Sequence, residues 1–245
     1  MISKTNKPSC VFFDWDDTIM CNRKIIESLF EDLLTDYKES IKDQYKNEAK
    51  EKLIEIEKHV IDLHFSTPGA SFEEIAEIVF EGNHDEISSE MKLRYEKLAK
   101  DMTIHYTEGA EDMLKEIKRL QIPTAIISNK PNAVLQEEVK KTPYYDLFFA
   151  IIGSGPERKM KPEIDQFLHA EHIYGKKIDR TNAWMVGDSK FDILAGLNYK
   201  CNTFFIGTEE HLPESLWRER GTGKFHSLPN KMLDLRKILI QSCNN

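Results

Sequence analysis

The feature that most limits what this chain can fold into is a series of five short apolar runs, each ending in polar or small residues. Cys10-Val11-Phe12-Phe13 runs into Asp14-Trp15-Asp16-Asp17-Thr18, and Thr124-Ala125-Ile126-Ile127 runs into Ser128-Asn129. The run at 147–152 ends in Gly153-Ser154-Gly155, Ala183-Trp184-Met185-Val186 ends in Gly187-Asp188, and Thr203-Phe204-Phe205-Ile206 ends in Gly207. Each run has the length of a strand and none alternates strictly, the pattern of strands covered on both faces. Helical spacing separates several of them, for example Ala110, Met113, Leu114, Ile117 and Leu120. Strand and helix in alternation predict an α/β fold: a Rossmann-like parallel sheet with helices on both faces.

A second pattern fills the gap between the first run and the next. Ile25, Ile26, Leu29, Phe30, Leu33, Leu34, Tyr37 and Ile41 recur at helical spacing in otherwise charged sequence, continuing more sparsely through Tyr45 to Val60. A break follows at Ser66-Thr67-Pro68-Gly69, and shorter helices are predicted over 72–80 and 90–100. Residues 20–105 therefore read as a helical domain inserted into a core made of 1–19 and 106–245. The tail after residue 207 reads as a helix, a short strand near Phe225 and a last helix. Gly153-Ser154-Gly155 reads as a tight turn, and Asn83-His84 and Ser66 to Gly69 as surface turns.

Composition matters here for what it excludes. The 245 residues carry a net charge of −8, which does not favour nucleic acid or an anionic membrane. No apolar run is long enough to span a bilayer, and the first nine residues lack the apolar stretch of a secretory signal. Four cysteines, Cys10, Cys21, Cys201 and Cys243, stand far apart without a Cys-x-x-Cys pair, which fits reduced, buried thiols and a cytoplasmic location.

In an open α/β sheet, ligands bind beyond the carboxyl ends of the strands. Asp14, Ser128, Lys161 and Asp188 all fall at or after such ends, so four distant segments are expected to converge. Any one of them alone is commonplace: paired aspartates sit in solvated turns, a serine caps a helix, a lysine lies on the surface. Their order after successive strands is what points to chemistry. Phosphoryl transfer needs a nucleophile in line with the leaving oxygen and positive charge around the transferred group. An aspartate can be that nucleophile, and a second carboxyl can move the proton. Magnesium is held by carboxylates, waters and substrate phosphate.

These segments resemble the motifs of the haloacid dehalogenase superfamily. Asp14-Trp15-Asp16-Asp17-Thr18-Ile19 is similar to the first motif and Ile126-Ile127-Ser128-Asn129 to the second. Lys161-Pro162 with Phe167 is similar to the third, and Gly187-Asp188-Ser189-Lys190-Phe191-Asp192 to the fourth. The helical insertion resembles the C1-type cap of the phosphoglycolate phosphatase-like branch. That resemblance implies Asp14 as nucleophile, Asp16 as general acid/base, Ser128 with the Asn129 backbone as phosphoryl ligands, and Lys161 as the neutralising cation. It implies Mg2+ on Asp14, Asp188 and the Asp16 carbonyl, with Thr18 and Asp192 supporting the site. Lys161 is preferred over Lys159 because Lys161-Pro162 directly precedes a helix-like stretch. Relatives that are dehalogenases lack a carboxylate at the position of Asp16, because a halide leaves without a proton, so the resemblance implies a phosphatase acting on a small phosphomonoester. A phosphomutase and a non-catalytic binding module are the alternatives. Cys21-Asn22 departs from the acidic and hydroxyl residues many capped relatives carry there.

Overall fold

The structure is a computed structural model, describing residues 6–42, 72–101, 103–207, 212, 216, 224–229 and 231–243. The helical segments expected over 45–60 and immediately after residue 207, and the turn at 66–69, lie wholly or largely outside the described residues, whereas the strand near Phe225 and the last helix are described. The chain divides into two compact units, Met1–Cys21 with Ile104–Asn245, and Asn22–Thr103.

The first unit is built on a six-stranded parallel sheet: β1 (Val11–Phe13), β2 (Thr124–Pro131), β3 (Phe148–Ser154), β4 (Trp184–Gly187), β5 (Asn202–Phe205) and β6 (Phe225–Ser227). The spatial order is β3-β2-β1-β4-β5-β6, so the sequence direction of neighbouring strands reverses between β1 and β4. Loops at such a reversal splay to opposite faces and leave a crevice. Register puts the strand ends level there, since Phe13 lies opposite both Ile126 and Val186. Asp14 is one residue past that line, and Ser128 and Asp188 are two residues past it.

Two strands run further than their apolar runs. β2 continues through Ser128-Asn129-Lys130-Pro131 and β3 through Gly153-Ser154, where a tight turn was expected. The extension is irregular, with a register shift between Ile127 and Pro131. Gln136 Nε2 donates to the Ile151 carbonyl, satisfying part of the β3 edge.

Helices pack both faces: α4 (Ala110–Leu120), α5 (Asn132–Lys140), α6 (Asp165–Tyr174), α7 (Lys190–Tyr199) and α8 (Lys231–Cys243), with the α1 to α3 labels falling in the second unit. α4 buries the expected stripe Ala110, Met113, Leu114 and Ile117. Under the sheet, Phe12 meets Phe167 edge-on at 5.0 Å and Tyr199 at 5.5 Å, while Phe167 and Tyr199 stack at 4.5 Å. These contacts pin α6 and α7 to the strand that delivers Asp14, each pair adding about 0.5–1.5 kcal/mol beyond area burial.

The second unit is helical in its described part: α1 (Arg23–Asp36), α2 (Phe72–Val79) and α3 (His84–Asp101). Its core is Ile26, Leu29, Phe30, Leu33 and Leu34 from α1 packed with Ile75, Ala76 and Val79 from α2 and Ile87 and Met91 from α3. α1 ends at Asp36, short of the apolar pattern, and a 3-10 turn over Lys38–Ser40 carries Ile41 back into this core. α3 starts at His84, earlier than expected, because Asn83 Oδ1 accepts from the Glu86 amide and so opens the helix. No described helix is long and apolar enough to cross a membrane.

Candidate active site

The loop after β1 is wound tightly. The amides of Ile19 and Met20 both donate to the Trp15 carbonyl, the Asp17 amide donates to the Met20 carbonyl, and Asp17 takes a left-handed backbone with φ 53°. Aspartate tolerates that conformation better than most residues. Trp15 and Ile19 are fully buried beneath it. The loop is anchored on the next strand by the Asp14 amide, which donates to Val186 O at 2.9 Å.

Lys161 reaches Asp14. Its Nζ donates to Asp14 Oδ1 at 2.6 Å, Asp192 Oδ1 at 2.5 Å and the Ile127 carbonyl at 2.9 Å, with the side chain almost wholly buried. Lys159, two residues earlier, is exposed. The loop carrying Lys161 is clamped to β2 by a reciprocal pair: Lys161 N donates to Asn129 Oδ1 at 2.9 Å, and Asn129 Nδ2 donates to Lys161 O at 3.1 Å. The Asn129 side chain thus holds the lysine loop. Ser128 is buried on the same strand, and its carbonyl accepts from Gln166 Nε2 at 2.7 Å.

Asp188 and Asp192 come from the turn into α7. Ser189 caps that helix, and the Ser189 N and Oγ donate to Asp192 Oδ2 at 3.0 and 2.6 Å. With Oδ1 taken by Lys161, Asp192 is committed on both oxygens and acts as a brace. Gly187 is required by this arrangement, since a Cβ there would overlap the Asp192 side chain. Thr18 Oγ1 donates to Asp188 Oδ1 at 3.2 Å, tying the β1 loop to the β4 loop.

Among the described residues, Asp14, Asp188 and Asp192 each bring one carboxylate oxygen within 4.8 Å of the others. Among the described residues, Lys161 is the ammonium that bonds Asp14 and Asp192. Burial pushes the Asp14 carboxyl up to about 7 despite the lowering pull of Lys161, with Asp192 and Asp16 adding to the rise. Asp188 keeps some solvent contact, yet desolvation and then the charges of Asp14 and Asp192 hold its carboxyl well above the ordinary range. Burial would lower the Lys161 ammonium, but Asp14 and Asp192 outweigh it and raise the group. An all-oxygen donor set with surplus negative charge suits a hard divalent cation.

Asp16 does not join this cluster through its side chain. Its Oδ1 accepts from Lys130 Nζ at 2.7 Å, and the same ammonium donates to Glu138 Oε2 at 2.7 Å. Trp15 Nε1 also donates to Glu138 Oε2, at 2.7 Å. Neither Lys130 nor Glu138 stands out in the sequence reading. A signal existed: Glu138 occupies the apolar phase of α5 together with Leu135 and Val139, where a solvated acid does not belong.

The family model of haloacid dehalogenase-like hydrolases matches residues 11–206. Among curated proteins, a phosphoglycolate phosphatase of Vibrio vulnificus (strain CMCP6) is 30% identical over 128 residues, covering 49% of this chain and 54% of that protein. The chain thus spans about half the length of the curated relatives it matches. Among solved structures, a hydrolase of this superfamily from Ehrlichia chaffeensis superposes with a TM-score of 0.60 at 22% identity, covering 97% of this chain and 98% of that one. A predicted phosphoglycolate phosphatase from Haemophilus somnus 129pt gives a TM-score of 0.67 at 17% identity, covering 95% and 98%. At such identities the structural matches speak for the fold.

Proposed function

The chain belongs to the haloacid dehalogenase-like hydrolases, and from that premise we propose that it is a phosphatase of the phosphoglycolate phosphatase-like branch, acting on a small phosphomonoester. The observation that carries this reading is Asp14 at the strand reversal, 2.6 Å from a buried lysine and beside two further carboxylates, with Asp16 two residues on.

Asp14 attacks phosphorus through a carboxylate oxygen, the bond to the leaving oxygen breaks, and Asp16 gives that oxygen its proton. Water then attacks the aspartyl-phosphate, loses a proton to Asp16, and releases inorganic phosphate and free Asp14. Lys161 offsets the negative charge that gathers on Asp14 and the phosphoryl oxygens. Ser128 and the Asn129 backbone bind the phosphoryl group. Asp14, Asp188 and the Asp16 carbonyl would hold Mg2+, with Thr18 and Asp192 bracing them. When bound, such an ion draws negative charge from the transferred group and the carboxylates. A carboxylate at position 16 supports phosphate-ester chemistry, because an alkoxide leaves far better with a proton.

The helical unit Asn22–Thr103 serves as the cap that reads the leaving group. Its point of insertion supports this: the chain departs immediately after the Asp14 loop and returns through a stem in which Cys21 N donates to His105 O at 2.7 Å. The experiment is a screen of phosphomonoesters, phosphoglycolate and sugar phosphates included, for phosphate release with and without Mg2+. Asp14→Asn is expected to lower turnover by about 10⁴-fold or more, the scale for losing a nucleophile. Full turnover in that variant would refute the nucleophile assignment.

A further inference from the structure

Lys130 and Glu138 are buried ionisable groups that the reaction above leaves without a task. Their side chains are 2% and 3% exposed, whereas that of Asp16 is 27% exposed. Burying a lysine and a glutamate is costly unless each is paired and hydrogen-bonded, and such a pair adds little net stability over apolar residues of similar volume. The connections are directional. Trp15 Nε1 and Lys130 Nζ both bond Glu138 Oε2, and Lys130 Nζ then bonds Asp16 Oδ1. Glu138 is fixed on α5, Trp15 is wedged fully buried under the aspartate loop, and Lys130 extends from β2 two residues past Ser128, whose Oγ accepts the Lys130 amide at 3.2 Å.

We propose that Lys130, held by Glu138, is the positioning residue for Asp16: it fixes the rotamer of that carboxyl so that the remaining oxygen faces the leaving group. The proposal rests on the reading of Asp16 as general acid/base. Asp16 stands on a loop with partial solvent access, and a carboxyl there has several staggered rotamers. A bond from a buried ammonium selects one of them, and it engages Oδ1, leaving Oδ2 for proton transfer. Because Lys130 and Ser128 lie on one strand, the phosphoryl ligand and the acid's support move as a unit. A misplacement of about 1 Å at such a group costs on the order of 100-fold.

The test separates positioning of a proton donor from general disruption. Wild type, Asp16→Asn and the double variant Lys130→Met/Glu138→Gln are assayed for kcat/KM on phenyl phosphate and on 2,4-dinitrophenyl phosphate. The first leaving group needs a proton and the second departs as a stable anion; kcat/KM reports only the steps up to aspartyl-phosphate formation. Glutamine at 138 keeps an acceptor for Trp15 and leaves no orphaned buried charge. Asp16→Asn is expected to fall about 100-fold or more on phenyl phosphate and far less on the dinitrophenyl ester, the size of a lost general acid. The double variant is expected to show the same split, about 10- to 100-fold against less than about 3-fold. Lys130→Arg, which keeps a cation, should recover most of the phenyl phosphate rate. Equal losses on both esters, or none on either, with the Asp16→Asn split intact, overturn the role of Lys130 and leave the acid/base reading standing. Absence of a split in Asp16→Asn overturns both. If the double variant does not fold, Lys130→Gln on the same two esters decides by the same criteria.

Discussion

Lys130 and Lys161 are both buried at the carboxyl end of this sheet, and they sit in opposite electrostatic settings. Lys161 faces Asp14 and Asp192, with Asp188 close by, so it is outnumbered. Lys130 faces one fully buried acid, Glu138, and one partly exposed acid, Asp16, whose charge water can also screen. The same side chain at the same depth therefore does different work. Around Lys161 the surplus negative charge is an invitation to a dication and to the chemistry proposed at Asp14. Around Lys130 charge is nearly matched, and what remains is geometry.

The contrast predicts different responses to removal. Lys161→Met leaves several carboxylates uncompensated and should destabilise by about 3–5 kcal/mol at pH 7, measured by urea unfolding. Adding Asp192→Asn should recover little of this, because Asp14 and Asp188 remain. Lys130→Met alone should cost about 3 kcal/mol, yet adding Glu138→Gln should bring stability back to within about 1 kcal/mol of wild type. Equal recovery in the two double variants would break the comparison.

The pH dependence sharpens it further. Asp14 has its carboxyl raised to about 7 by burial, so its contribution to stability is present in full below the ordinary aspartate range and is lost as pH rises through 7. In chelator-treated protein, the free energy of unfolding measured in urea should therefore fall between about pH 4 and pH 8 by an amount on the order of a few kcal/mol. Divalent cation should raise the melting temperature more at pH 8 than at pH 5. A flat profile would mean that the Lys161 centre is balanced after all.

Smaller effects test the supports. Gly187→Ala drives a methyl into Asp192 and should cost about 1–3 kcal/mol while loosening the Asp192–Lys161 bond. Lys159→Ala, on the exposed neighbour of Lys161, should change stability by less than about 0.5 kcal/mol.

Much of this architecture is legible along the chain. The apolar runs mark β1, β2, β4 and β5 to within a few residues, and the period of α4 predicts its buried stripe. Strand ends are harder, because β2 and β3 continue past their apolar residues through polar and small ones, across an irregular register that apolar patterning does not mark. The sequence points to the Asn129 backbone, whereas its side chain clamps the Lys161 loop; an amide bonding a backbone 32 residues away has no local signature. Lys130 carries no signal of its own, since one lysine after Ser-Asn looks like a solvated strand end. Only α5 folding over it puts Glu138 within reach.

What the linear order of residues determined was which groups leave which strand ends, since apolar period and strand length are local properties and a parallel sheet must gather those ends on one side. That Lys130 would pair with Asp16 and Glu138 was decided only in three dimensions. Charges taken out of water must find partners through space, and the nearest partner of Asp16 proved to be 114 residues away in sequence.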